Sequence, residues 1–383
     1  MTRLLLAPDK FKGSLTAADV VAALSRGIAE TAPGTEILAC PIADGGDGTV
    51  DAALAAGATA QPATITGPTG EVRETVWALE GTTAVLELAD AVGLKALPGE
   101  ELAPRSASSY GLGELIRNAV RAGAREIVVG LGGSASTDAG AGLLQALGAR
   151  LLTADGEDIA PGLAGLETLA SADLTPAHEL LDGIRLIAAN DVANPLLGDD
   201  GAAAVYGPQK GLSPEAVTAA DQALAAAATL LDASGAAAPS EGAGAAGGVG
   251  FALLLLGAIQ RSGADVVLEL AGFDARLAGA DLVVTGEGKL DAQTLQGKGP
   301  AEVARRAAAA GLPVLAVAGA VTLTDEELAG AGITAAFDLL SRAADVDEAI
   351  ARGQGLLEEV GREIGRSLPA LLADAPGAEA PLP

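Results

Sequence analysis

The chain has 383 residues, of which 50% are hydrophobic and only 2% aromatic, and its formal net charge is −27. That length predicts two domains built on an aliphatic core. The acidic balance excludes a nucleic-acid duplex as partner, because neutralising its phosphates needs a basic face. A small anion remains admissible, since a few local cations and backbone N–H groups suffice to hold one. The single cysteine, Cys40, excludes an intrachain disulfide and fits a reducing compartment. It lies inside the apolar run Ile37–Ile42 and reads as a core residue. Met1-Thr2-Arg3 leads straight into Leu4–Ala7 without a signal-peptide pattern, and the longest apolar stretch, Val249–Ile259, is well short of the ~20 residues that span a bilayer. The expectation is a cytoplasmic protein with no membrane partner.

Strands are predicted, in chain order, at Arg3–Pro8, Glu36–Ile42, Thr83–Leu88, Glu126–Gly130, Arg150–Leu152, Arg185–Ala189, Asp265–Leu270, Asp281–Thr285, Pro313–Val317 and Ala335–Leu339. They are short, nearly all apolar and rich in Val, Ile and Leu, as strands buried on both faces are. Helical stretches alternate with them. Thr16 and Asp19 can cap the first, which then places Val20, Val21, Leu24 and Ile28 on one face. Gly123, Gly148 and Gly311 each follow a helical run, where a left-handed residue ends a helix. This alternation predicts an α/β architecture with right-handed crossovers. By composition, Ala233–Gly248 reads as a flexible connector and Asp374–Pro383 as a disordered tail.

Open α/β sheets bind ligands outside the carboxyl ends of their strands, so the strand-end loops carry the functional reading. In Pro8–Ser14, Lys10 and Lys12 converge with a helix N-terminus beside Ser14, which suits a phosphate or carboxylate. In Ala43–Thr49, Asp44 and Asp47 flank a Gly-Gly pair and could hold a hydrated Mg²⁺ or accept a hydroxyl proton. The loop Gly130–Asp138 contains Gly132, Gly133, Ser134 and Asp138 and reads as a phosphate cradle. It also matches the dinucleotide pattern G-x-G-x-x-A, with Asp155 about 20 residues on, so an NAD(P)-linked hydroxy-acid dehydrogenase is the competing reading. Asn190-Asp191 follows the strand Arg185–Ala189, and Asp191 is a candidate general base on an alcohol. Gly286, Glu287, Gly288, Lys289 and Asp291, continuing to Lys298, could bind a metal–phosphate group. Walker A and protein-kinase signatures are absent. The one histidine, His178, lies in a polar segment, so acid–base work falls to carboxylates and lysines. Phosphoryl transfer tolerates that restriction, because positioning and charge neutralisation do most of its catalysis.

Together these segments resemble the glycerate kinase family of the bacterial type that phosphorylates the 2-hydroxyl. The resemblance runs from about Leu5 to about Glu363. It is carried by Asp9–Leu15, Ala43–Thr49, Ser109–Ile116, Gly132–Ala135, Asn194–Gly198, Gly207–Gly211, Gly242–Gly248 and Thr285–Asp291. It implies ATP and Mg²⁺ as cofactors and D-glycerate as substrate, with 2-phosphoglycerate as product and the 3-phosphate as the other possible isomer. It also implies two α/β domains. One is a Rossmann-like parallel-sheet domain built from both chain ends, residues 1–75 plus 280–370. The other, residues 76–279, is inserted between them. The roles it implies are catalysis by Asp191, Asp44 and Lys10, and metal binding by Asp44, Asp47 and Asp291. Lys12, Ser14, Gly132, Gly133, Ser134, Asp138, Asn190, Gly286, Glu287, Gly288, Lys289 and Lys298 would contact substrate or phosphate. It makes Gly242–Gly248 an ordered motif rather than a linker, and leaves room for a homo-oligomer. A non-catalytic metabolite sensor on the same fold is a third reading, though no basic helix-turn-helix segment accompanies it. The chain departs from the family pattern at Asp47 (usually Glu), Leu112 (usually Thr), Thr137 and Ala139 (usually Asn and Gly), Ala193 (usually Asp) and Lys289 (usually Arg).

Overall fold

A computed structural model describes residues 1–11, 13–43, 48–297 and 299–373. The described residues form thirteen strands, β1–β13 in chain order, and the chain separates into two compact units. Unit 1 comprises Met1–Asp44 with Ala264–Pro383, and unit 2 comprises Gly45–Gly263.

The core of unit 1 is a fully parallel sheet ordered β13 (Ala335–Asp338), β12 (Val314–Val321), β11 (Leu282–Leu290), β1 (Arg3–Pro8), β2 (Glu36–Ala39). Its central strands are buried aliphatic runs: Leu4, Leu5, Leu6, Val283, Val284, Leu315 and Ala316 are inaccessible to solvent. The helix Ala17–Thr31 starts where expected. The Thr16 hydroxyl accepts the Asp19 N–H, and the Asp19 carboxylate accepts the Thr16 N–H, which satisfies two otherwise orphan donors. Its face of Val20, Ala23, Leu24 and Ile28 packs with Leu356, Val360 and Ile364 of the helix Gly353–Ala373. The two backbones meet at glycines. A Cβ on Gly27 would lie 2.1 Å from the Glu358 carbonyl oxygen, and one on Gly361 would lie 2.5 Å from that of Leu24. Cys40 is buried, as its apolar context predicts, and burial pushes its thiol up to about 11.

Unit 2 holds a sheet ordered β10 (Ile259–Arg261), β9 (Arg185–Ala189), β6 (Glu126–Gly130), β5 (Thr83–Glu87), β4 (Val72–Glu80), β3 (Thr59–Thr66). The first four are parallel, and β4 and β3 extend it as an antiparallel edge. A small antiparallel pair, β7 (Arg150–Leu152) and β8 (Ser171–Asp173), stands apart from it.

Four differences from the expected elements have physical causes. β3 and β4 are absent from the predicted set because exposed residues alternate with less exposed ones along part of each, as in a sheet with one wet face, whereas the prediction followed continuous apolar runs. They pair with β5, so the unit boundaries fall at 44 and 263 rather than at 75 and 279. Asp265–Leu270 is not a strand but part of the helix Gly263–Leu270, the ambiguity inherent in a short apolar run. Strand β11 continues through Gly286–Lys289 to Leu290, so those residues are paired strand rather than loop. Among the described residues, no helix is long and apolar enough to cross a membrane.

The glycine crossing in unit 1 leaves no space for a side chain. Gly361→Val is expected to lower stability by about 3 kcal/mol, an overpacking cost read by urea unfolding.

Candidate functional site

In unit 1 the chain steps from β1 outward to β2 on one side, and from β11 outward through β12 to β13 on the other. The switch point is therefore between β1 and β11, where open parallel sheets bind ligands beyond the strand ends. Pro8 pairs with Gly286, and the Asp9 N–H donates to the Gly286 carbonyl at 2.7 Å. This joins the Asp9–Ser14 loop to the Gly286–Asp291 segment. Gly286 is required there, since a Cβ would lie 1.9 Å from the Val317 carbonyl oxygen. Lys10 is partly exposed, and the exposed Ser14 donates its hydroxyl to the Phe11 carbonyl at 3.0 Å. Glu287 accepts the Thr294 hydroxyl at 2.6 Å, and Asp291 accepts the Gln293 N–H at 2.9 Å. Lys289 reaches Asp291 at 3.2 Å but is 58% exposed, so that ion pair is weak. Lys10, Ser14, Gly286, Glu287, Gly288, Lys289 and Asp291 thus share one sheet end. Lys12, Asp44, Asp47 and Lys298 lie outside the described residues. Among those described, no three His, Cys, Asp or Glu side chains form a metal-binding group.

In unit 2 the neighbouring strands β5, β6 and β9 end at Glu87, Gly130 and Ala189, which pair across the sheet. Glu87 is buried and caps the helix Thr49–Ala55: its carboxylate accepts the Gly48 N–H at 2.9 Å and the Val50 N–H at 3.2 Å. After β6, Gly132–Thr137 follows an irregular path. The Gly133 carbonyl accepts the Leu94 N–H, and the Ala135 N–H donates to Val92. The N–H groups of Gly132, Gly133, Ser136 and Thr137 donate to no other described residue. The Ser136 and Thr137 hydroxyls and the Asn190 side-chain NH₂ are buried and also lack partners. Buried polar groups are ordinarily satisfied, so this concentration beyond the ends of β6 and β9 is a candidate place for a polar ligand.

Asp138 is expected to contact substrate, but the structure gives it a different role. Its side chain is fully buried, and the Ser109 N–H (2.8 Å), Ser109 hydroxyl (2.9 Å), Gly142 N–H (3.3 Å) and Gly140 N–H (3.1 Å) all donate to it. It fastens the loop to the helices Tyr110–Arg121 and Ala141–Ala146. Asn190 accepts the Val192 N–H at 3.1 Å, which makes the turn its residue type favours. Asp191 is exposed and accepts the Ser262 hydroxyl and the Gly263 N–H, each at 2.9 Å.

Lys210 is a functional candidate that residue-by-residue reading missed, although it lies in the motif Gly207–Gly211. It is fully buried, and its ammonium donates to the Ser134 hydroxyl and the Ser136 carbonyl, both at 2.6 Å. Burial pulls it down to about 7, against the pull of the Asp138 charge. Gly247 makes room for it: a Cβ there would lie 2.8 Å from Nζ and 2.0 Å from the Ser136 oxygen. Ala246, Gly247 and Gly248 are all left-handed, so this stretch is ordered rather than a flexible connector. Glu87 was also missed; a lone carboxylate closing an apolar strand was its only sign.

The dinucleotide reading fails on placement. Asp155 sits in an exposed turn between β7 and β8, whereas β6 is flanked by β5 and β9.

The family model described as the glycerate kinase family matches residues 4–369. The chain is 38% identical to the glycerate kinase of Bacillus subtilis over 96% of this chain and 97% of that one. It is also 38% identical to the glycerate 2-kinase of Escherichia coli K12, over 96% and 98%. A crystal structure from Salmonella typhimurium LT2, described as that of a glycerate kinase 2, superposes with a TM-score of 0.84 at 39% identity, covering 96% of this chain and 98% of that one.

Ala139 is left-handed at φ 51° and fully buried, at a position where the family usually has glycine. Ala139→Gly should therefore raise stability by about 1 kcal/mol, the usual cost of a left-handed non-glycine residue, measured by denaturant unfolding.

Proposed function

The chain belongs to the glycerate kinase family, and on that premise we propose that it transfers the γ-phosphoryl group of ATP to the 2-hydroxyl of D-glycerate in the cytoplasm, giving 2-phosphoglycerate and ADP. The observation that carries this reading is the Gly132–Thr137 loop, whose unengaged N–H groups and hydroxyls suit an oxyanion. In the reaction the substrate hydroxyl oxygen bonds to the γ-phosphorus, the bond to the ADP oxygen breaks, and the hydroxyl proton passes to a carboxylate. Asp191 is the proposed acceptor. It is exposed at the end of β9 and oriented by Ser262 and Gly263. Lys10 and Lys12 supply positive charge for the transferring phosphoryl group or the glycerate carboxylate, and Ser14 is a further proposed contact. Ser134 and Asn190 complete the polar lining of unit 2, and Gly286, Gly288, Lys289 and Lys298 serve the nucleotide phosphates.

The residues present fit Mg²⁺. Asp291, 25% exposed at the end of β11, and the neighbouring Glu287 offer the carboxylate oxygens that hard cation takes. Asp44, Asp47 and Asp291 are the proposed ligands. When bound, the ion neutralises charge on the polyphosphate.

A coupled ADP-release assay with D-glycerate, ATP and Mg²⁺ tests the proposal. Turnover well above an ATP-only control is expected; its absence refutes the reading. Lys10→Ala and Asp191→Ala should each lower kcat on the order of a hundredfold, the loss that follows removal of one charge-stabilising contact or one base.

A further inference from the structure

We infer that Lys210 is a positioning residue for the oxyanion on the Gly132–Thr137 loop: it fixes the loop's shape through Ser134 and Ser136 and sets a buried positive charge beneath the anion. The inference rests on reading this loop as part of the phosphoryl-transfer site.

The geometry is unusual for a lysine. Nζ is fully buried, and its two partners are neutral oxygens, the Ser134 hydroxyl and the Ser136 carbonyl. A buried ammonium ordinarily faces a carboxylate, because desolvating an unpaired charge is costly. Asp138 is the charged group that faces Lys210, yet its oxygens are occupied by the Ser109, Gly140 and Gly142 donors. Gly247, which packs against Nζ, presents only backbone. The site thus carries a cation without a direct counter-ion beside a loop whose Gly132, Gly133, Ser136 and Thr137 N–H groups have no partner among the described residues.

A carboxylate or phosphoryl oxyanion on those N–H groups would supply the missing negative charge. Lys210 lies near 7 without such a partner, lowered by burial. A nearby anion favours its charged form and raises that value. Anion binding and protonation of Lys210 are therefore coupled. Above pH 7, binding should take up protons, and apparent affinity should fall as pH rises, until Lys210 no longer protonates even in the complex.

Lys210→Met keeps most of the unbranched side chain, one atom shorter, and removes the charge. The expected result is a cooperatively folded variant whose kcat/KM is at least tenfold lower, and whose kcat/KM no longer falls between pH 7 and 9 as the parent's does. A folded variant with parental constants and a parental pH profile would overturn the inference, since a merely structural lysine leaves that profile unmoved. If the variant does not fold, the unsubstituted protein decides. D-Glycerate and Mg²⁺-free ATP are titrated separately by calorimetry at pH 8 in two buffers of different ionisation enthalpy. Proton uptake with glycerate identifies a carboxylate on the loop, and uptake with ATP identifies a phosphoryl group. Binding of both without uptake overturns the inference. Proton-linked binding without turnover would refute the proposed reaction and leave the role of Lys210 standing.

Discussion

The buried carboxylate of Asp138 is the constraint on which unit 2's site depends. Four donors converge on it, from Ser109 before one helix and from Gly140 and Gly142 at the start of another. Hydrogen bonds to an ionised, desolvated acceptor are roughly twice as strong as neutral ones. Asp138 thereby fixes the exit of the loop, and Lys210 fixes its middle from a different segment of the chain. Along this loop, the N–H groups of Gly132, Gly133, Ser136 and Thr137 have no partner among the described residues. Ala139 pays for the arrangement with a left-handed backbone, and Gly247 and Gly248 give up side chains where the two segments touch.

Unit 1 reaches a comparable result by different means. There the constraint is the pairing of β1 with β11 at the switch point, which brings Lys10 and Ser14 beside Gly286 and Glu287 although they lie far apart in the chain. The bare backbone of Gly286 permits the close approach of β12, and the extension of β11 to Leu290 holds Glu287 on the strand and sets Asp291 just after its end. A site built on sheet ends is held more firmly than one on free loops, which suits a reaction governed by positioning.

Much of this was legible in the chain because the signals were local. The Thr16–Asp19 box, the apolar runs of β1 and β6, and the glycines after helices each act within a few residues, and they stand where expected. What was not legible depended on distance or on alternation. β3 and β4 hide their core face behind exposed Thr, Val and Glu residues. The link from Lys210 to Ser134 spans 76 residues, so no spacing rule could announce it. Asp138 looked like a ligand-contacting acid because its position in a glycine-rich loop is visible, whereas Ser109, which turns it inward, is remote in sequence.

The most direct measurement of the central claim is the proton-coupled ³¹P NMR spectrum of the product formed from D-glycerate and ATP. A phosphate ester on the 2-hydroxyl couples to the single proton on that carbon and appears as a doublet. A triplet, from the two protons of the terminal carbon, or no new ester resonance at all, would contradict the account.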